Sequence, residues 1–182
     1  MIRSGSASSD AGLAVQRQGA TVAESGRCAN RMTRKLVAGS LGAMEPVAIP
    51  DSHRDLLERP LNATLVTVMP SGQPQATIVW YKLDGPDVMI ITMKGFQKER
   101  NMRARPKVSL VIIDPDDTAR WIEVRGTVEL FDGGADELLD EITGLYTDMS
   151  RYFGEVVPAE LAETQIPVIA RITPTRVRAE AF

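Results

Sequence analysis

Residues 62–93, NATLVTVMPSGQPQATIVWYKLDGPDVMIITM, set three short apolar runs between two turn tetrads. Asn62 to Met69 places Ala63, Leu65, Val66 and Val68 in one run and reads as a strand. Pro70-Ser71-Gly72-Gln73 is a turn, because proline pre-sets a turn φ and glycine tolerates the positive one. A second strand is expected from about Gln75 to Leu83, a second turn at Asp84-Gly85-Pro86-Asp87, and a third strand from Val88 to Met93. Three consecutive short strands with tight turns form an antiparallel meander.

The flanks extend this pattern. Upstream, Ser52 with Asp55 three residues on resembles a capping box, Leu56 and Leu57 give a short helix an apolar side, and Pro60 ends it. Downstream, Phe96 to Arg105 is polar and basic and reads as a short helix ended by Pro106. Lys107 to Asp114 is an almost fully apolar strand, expected to be buried on both faces. After a Pro115-Asp116-Asp117 turn, Arg120 to Phe131 is a long strand whose interior Gly126 points to a bulge or a barrel corner. Gly133-Gly134 breaks the chain, and Asp136 to Tyr146 is an amphipathic helix with Leu138, Leu139, Ile142 and Leu145 on one side. A polar connection with an irregular helix leads to a sixth strand, Val168 to Ile172, continued after Pro174 by Arg176 to Ala181. The fold class is therefore mainly β, with six or seven antiparallel strands and few helices, as in a small barrel with closed edges.

Composition narrows the function. The chain has 182 residues, enough for one domain with a sizeable core. Cys28 is the only cysteine and His53 the only histidine, which removes a disulfide framework within the chain and argues against a Cys/His metal site. The net charge of −3 gives no support to nucleic-acid binding. Apolar runs such as Val108 to Ile113 are too short to cross a bilayer. Residues 1–43 differ from the rest: six basic and two acidic residues, no aromatic, and six of the 14 glycines. Without a core-forming pattern this segment is expected to be a disordered tail, and residues 44–182 the folded domain. The tail fits a transit-like peptide, an interaction tail, or upstream sequence translated from an early start, with Met32 or Met44 the true one. It lacks the unbroken apolar stretch of a secretory signal, so the cytoplasm is the expected location.

Chemistry-bearing motifs are few. There is no Gly-x-Gly-x-x-Gly loop, no phosphate-binding loop ending Gly-Lys-Ser and no Gly-x-Ser-x-Gly elbow. Asp114, Asp116 and Asp117 read as a solvated turn rather than a calcium site. If the protein is an enzyme, a cofactor supplies the reactive atoms. The most informative stretch is Lys94-Gly95-Phe96-Gln97-Lys98-Glu99-Arg100-Asn101. Lys98, Arg100 and Asn101 fall after a strand and in the first turn of a helix, where free N–H groups favour anions. Lysine adds a point charge, arginine a bidentate fork and asparagine a neutral donor, a set suited to phosphate. The competing reading is a solvated helix face with Glu99 partly balancing the charge.

Several stretches resemble the pyridoxamine 5'-phosphate oxidase-like split β-barrel superfamily, and within it the branch of coenzyme F420-dependent oxidoreductases. They are Ala63-Thr64-Leu65-Val66-Thr67, Ser71-Gly72-Gln73-Pro74, Val79-Trp80-Tyr81, Lys98-Glu99-Arg100-Asn101-Met102 and Arg105-Pro106-Lys107-Val108-Ser109-Leu110. Asp114-Pro115-Asp116-Asp117, the Trp121 to Glu129 run and the closing Pro167 to Val177 segment complete the pattern, over about residues 51–178.

The resemblance implies a six- to seven-stranded antiparallel split β-barrel that forms a homodimer, with two flavin-type cofactors where the subunits meet. It places Lys98, Arg100 and Asn101 in the phosphate-binding segment, and Thr77 and Val79 where the chain passes the isoalloxazine or deazaflavin ring. Thr92 precedes the phosphate segment, and Trp121 falls where a neighbouring strand approaches the cofactor, or else serves as a barrel or dimer-core aromatic. Trp80 and Tyr81 alternate faces, so one is expected toward the ring or substrate and the other in the core. Phe96 stands where relatives often carry arginine or a hydroxyl residue. The implied activity is hydride transfer between coenzyme F420 and a small organic substrate. The alternatives are an FMN-dependent pyridoxamine phosphate oxidase-like oxidoreductase and a non-catalytic flavin- or deazaflavin-binding protein. No residue in the motifs is forced to be a general acid; Tyr81 is either that or a packed, hydrogen-bonded tyrosine.

Overall fold

The computed structural model describes residues 47–181; the basic segment 1–43 with Cys28, and the expected start at Met44, lie outside them. Seven strands carry the fold: β1 (Ala63–Val68), β2 (Pro74–Val79), β3 (Lys82–Asp84), β4 (Asp87–Met93), β5 (Lys107–Ile113), β6 (Trp121–Phe131) and β7 (Pro167–Glu180). Three α-helices join them: α1 (Asp51–Glu58), α2 (Gln97–Ala104) and α3 (Ala135–Tyr146), with a 3-10 turn at Ala159–Glu163. All strand pairs are antiparallel, in the order β2-β1-β5-β6-β7-β4-β3.

The closed-edge expectation is corrected here. No ladder joins β2 to β3, so the sheet keeps two edges. Yet β2 ends at Val79 and β3 begins at Lys82. Three Cα steps reach at most about 11 Å, so the sheet curls until its edges meet at this corner. The three-strand meander is corrected too. The expected second strand is two strands, β2 and β3, broken at Trp80-Tyr81. The physical cause is Tyr146. Its hydroxyl accepts from the Tyr81 N–H at 3.1 Å and shares its own proton between the carbonyls of Leu61 (2.8 Å) and Tyr81 (3.1 Å). The backbone groups that a ladder would use at Tyr81 are thus taken by a side chain.

Inward-facing Leu65, Leu110, Ile122, Val124, Ile90 and Ile172 are fully buried and fill the space between the curled strands. β5 is buried on this side only. Val108, Leu110 and Ile112 face in, whereas Ile113 is half exposed, so the both-faces expectation does not hold within one chain. β6 crosses from one part of the sheet to the other through a register shift at Arg125/Gly126, as its interior glycine suggests. A Cβ on Gly126 would lie 2.5 Å from Ile172 Cγ2 and 2.6 Å from the Thr173 carbonyl oxygen, so only glycine allows this approach.

Helix α1 caps one opening of the curl with Leu56 and Leu57. Its N-cap is Pro50 without a side-chain bond, so the Ser52–Asp55 capping box is not formed. Ser52 Oγ instead bonds His53 Nδ1 (2.9 Å), and the buried His53 ring donates from Nε2 to the Glu180 carbonyl at 3.0 Å. Asp55 instead pairs with Arg120, which also binds Asp114 at 2.7 Å. The acidic turn is therefore tied down: Arg59 approaches Asp114 (3.4 Å) and Asp116 (3.2 Å). Helix α3 packs against the outer side of β4 and β7, where Ala135 and Leu138 meet Met89 and Ile169.

Candidate functional site

The site begins where β4 passes into α2. Gly95 adopts φ +80, a left-handed conformation that glycine takes without steric penalty. Three bonds fix this turn: Lys94 N–H to the Ile166 carbonyl (2.8 Å), Phe96 N–H to the Met93 carbonyl (3.1 Å), and Gly95 N–H to Glu99 Oε2 (3.1 Å). Glu99 is almost fully buried and also holds Arg103 at 2.7 Å. This turn delivers Lys98 to the wall of a cavity of about 370 Å³, within the ~300–1,000 Å³ of small-molecule sites.

Five parts of the chain build the cavity. β2 supplies Val79 and the following corner Trp80; β4 supplies Ile91 and Thr92; the turn and α2 supply Phe96 and Lys98. α3 adds Leu139 and Ile142, and the 147–166 connection adds Tyr152, Val156 and Gln165. Tyr152 is held by its N–H donating to Asp140 Oδ1 on α3 at 2.9 Å.

Lys98 is the one charged residue in this wall. Burial lowers its pKa. A partly desolvated ammonium without a partner among the described residues is an anion-binding element. Two hydroxyls are also left without partners. Thr92 Oγ1, on the cavity wall, and Thr77 Oγ1, on β2, are buried and make no hydrogen bond. Buried polar atoms are ordinarily paired; of these two residues Thr92 belongs to the cavity lining and Thr77 does not.

The other residues expected at the site lie elsewhere. Arg100 is exposed and folds back on the turn, donating to the Gly95 carbonyl and to Gln97 Oε1 (2.8 Å). Asn101 is fully buried: its Nδ2 donates to Thr67 Oγ1 and Gln75 Oε1, both at 3.0 Å, and its Oδ1 accepts from Gln97 Nε2 at 2.8 Å. In this chain Asn101 fastens α2 to β1 and β2. Trp121 lies under the Arg178 guanidinium, 5.5 Å from its ring centroid, and does not line the cavity.

Trp80 and Tyr81 divide as their alternation requires. Trp80 lines the cavity, stacked on Tyr146 with centroids 5.0 Å apart and planes 17° from parallel. Tyr81 is buried in the core, its hydroxyl on the carbonyls of Leu56 and Arg59. Burial pushes its pKa above the ordinary tyrosine value, and it does not line the cavity, which is the packed, hydrogen-bonded placement of the two readings. Sequence reasoning missed Leu139 and Ile142, read only as part of the apolar side of an amphipathic helix, and the whole 147–166 wall. The signal available there was the adjacent aromatic pair Tyr152-Phe153 followed closely by Val156 and Val157.

The fold has known counterparts. The family described as Pyridoxamine 5'-phosphate oxidase matches residues 49–180. Among solved structures, an F420 reductase is 34% identical, covers 71% of this chain and 98% of its own, and superposes with a TM-score of 0.62. A conserved hypothetical protein from Mycobacterium tuberculosis is 26% identical over 75% of this chain and 86% of its own, with a TM-score of 0.58. A putative pyridoxamine 5'-phosphate oxidase from Listeria innocua shares the fold at 22% identity, TM-score 0.54, over 71% of this chain and 95% of its own. The search of curated proteins returned no match. With nearly all of its described residues inside the family match, the chain belongs to the pyridoxamine 5'-phosphate oxidase family.

Proposed function

We propose that this chain is an oxidoreductase that binds a flavin-type coenzyme in the cavity, coenzyme F420 in the first place and FMN as the alternative, and passes a hydride between it and a small organic molecule. The observation that carries the reading is Lys98, a partly buried cation without a partner among the described residues, in the same cavity wall as the orphaned Thr92 hydroxyl. The F420 reductase at 34% identity, matched over 98% of its length, supports F420 ahead of FMN.

The residues present fit such a group. Lys98 would hold its phosphate or acidic tail. Thr92 Oγ1 would gain the hydrogen-bond partner it lacks. The coenzyme, when bound, supplies the hydride-carrying ring. The chain's own work is placement and exclusion of water, through the apolar Val79, Ile91, Leu139 and Ile142. A homodimer is part of the proposal. The half-exposed Ile113 on β5 and the exposed Ile78 on β2 are apolar surface that a second copy would cover.

Titration of the purified protein with coenzyme F420 and with FMN separately, followed by absorbance and by light scattering, tests all of this. F420 is expected to bind more tightly, to a particle of twice the chain mass. Binding of FMN alone would move the assignment to the alternative. Binding of neither would end it, and binding without reduction of any acceptor would leave a carrier in place of an enzyme.

A further inference from the structure

Gly95, on which the turn before α2 depends, is held at both of its polar groups by the two residues that follow Lys98. Glu99 Oε2 accepts the Gly95 N–H at 3.1 Å, and Arg100 donates to the Gly95 carbonyl. Each of these side chains is held in its turn, Arg100 by Gln97 Oε1 (2.8 Å) and Glu99 by Arg103. A turn fixed at both groups sets the direction in which Lys98 leaves the helix.

The arrangement buries a charge of the wrong sign. Glu99 is the only acid of α2 and is 3% exposed, directly after the cation that lines the cavity. Burying a carboxylate costs free energy unless it is paired, and toward a bound acid it repels with little screening. Arg103 answers both problems. It reaches over Glu99 from the solvent side, its side chain 55% exposed, and places Nε and Nη2 each 2.7 Å from Oε1. The two carboxylate oxygens are thereby divided, one to the turn and one to the guanidinium. Arg103 itself is not among the cavity-lining residues.

We infer that Glu99 and Arg103 are positioning residues for the acid-binding end of the cavity: Glu99 fixes the turn that presents Lys98, and Arg103 cancels the Glu99 charge that would otherwise oppose an acid there. That this acid belongs to the coenzyme rests on the proposed oxidoreductase reading; the division of the Glu99 oxygens does not.

Two readouts on the full chain test the pair. One is titration with coenzyme F420 and with FMN. The other is the titration of Lys98 itself in the coenzyme-free protein, by carbon NMR of the lysine side chains, its signal assigned by its loss in Lys98→Arg. Arg103→Gln leaves the Glu99 charge uncompensated. It should weaken binding of whichever coenzyme the parent binds by at least about 5-fold, and raise the Lys98 pKa by about 0.5 unit or more, since a nearby negative charge favours the ammonium. Lys107→Gln makes the same change in net charge at an exposed residue and should move neither readout. Combining Arg103→Gln with Glu99→Gln removes the buried charge and keeps an acceptor for the Gly95 N–H. That double variant should bind within about 2-fold of the parent and return the Lys98 pKa to the parent value. Combining Arg103→Gln with Glu99→Leu removes charge and acceptor together, and should recover the pKa but not the affinity. All comparisons are made where circular dichroism shows the variants folded. If Arg103→Gln is unfolded, the two double variants, free of the buried charge, carry the test. Arg103→Gln behaving as Lys107→Gln does, or the two double variants binding alike, overturns the inference. If the parent binds neither coenzyme, the coenzyme reading falls by itself, and the Lys98 titration in Arg103→Gln and in its Glu99→Gln double decides on the pair.

Discussion

Replacing Lys98 by alanine should separate binding from stability, because the same burial acts on the two in opposite directions. Lys98 lines the cavity with its ammonium partly desolvated and without an opposing charge among the described residues. In the coenzyme-free protein that charge is a cost, since burial disfavours the charged form. Alanine removes the cost along with some packing of the lysine stem. The urea midpoint of the free protein should therefore hold or rise. In the complex the same ammonium meets an acidic group, and a hydrogen bond to a charged partner is worth about 1.5–3 kcal/mol. At about 1.4 kcal/mol per decade, the coenzyme dissociation constant should rise roughly 10- to 150-fold. Lys98→Arg should recover most of the affinity, because guanidinium also binds phosphate. The pH dependence follows from the lowered pKa. The parent should lose affinity as pH rises toward the ordinary lysine value of about 10.4, earlier than an exposed lysine would, and Lys98→Arg should remove that loss. Added salt should narrow the gap between parent and Lys98→Ala. Absorbance or fluorescence titration of F420 and FMN into the three proteins reads all of these. If Lys98→Ala binds both coenzymes as the parent does, Lys98 is only a lysine on a helix face and the argument from its burial fails.

Two further predictions concern the scaffold. Gly126→Ala should lower stability by about 1–3 kcal/mol, because its Cβ would sit 2.6 Å from the Thr173 carbonyl oxygen, a backbone atom that cannot swing aside; an unchanged urea midpoint would refute this. The Arg120 guanidinium, hydrogen-bonded to Asp55 and Asp114, holds both carboxyls below their ordinary range. Their contribution should be complete above about pH 4, the unfolded aspartate value, and should fade as pH falls through the lower folded values. Arg120→Met should flatten that acid limb of the stability curve, and parallel curves for the two proteins would count against the network.

The fold was legible wherever local chemistry sufficed. The turns at Gly72 and Gly85 lie where Pro, Gly and Asp cluster, and both glycines take positive φ. Helix α2 ends at Ala104, two residues before Pro106, as the proline requires. The β6 bulge falls at the interior glycine of its strand. The site was only partly legible. Lys98, Val79 and Thr92 do line one cavity, but Arg100 and Asn101, from the same basic stretch, do not. All three look alike as residue types at the start of a helix. What separates them is where each side chain finds a partner: Arg100 within its own turn, Asn101 on β1 and β2, and Lys98 nowhere among the described residues.

By itself, then, the sequence determined where the strand-forming runs lie, the turn positions, the antiparallel class and the segment that would present a cation, because each rests on residues a few positions apart. Tertiary structure alone decided that the second strand breaks at Trp80-Tyr81, since the hydroxyl responsible belongs to Tyr146, 65 residues further on. It also decided that the sheet keeps two edges and which of the basic stretch's side chains reach the cavity. Hydrogen-bond partners are chosen by proximity in space, and no local period or motif records which distant group will arrive first to satisfy a backbone N–H or a buried amide.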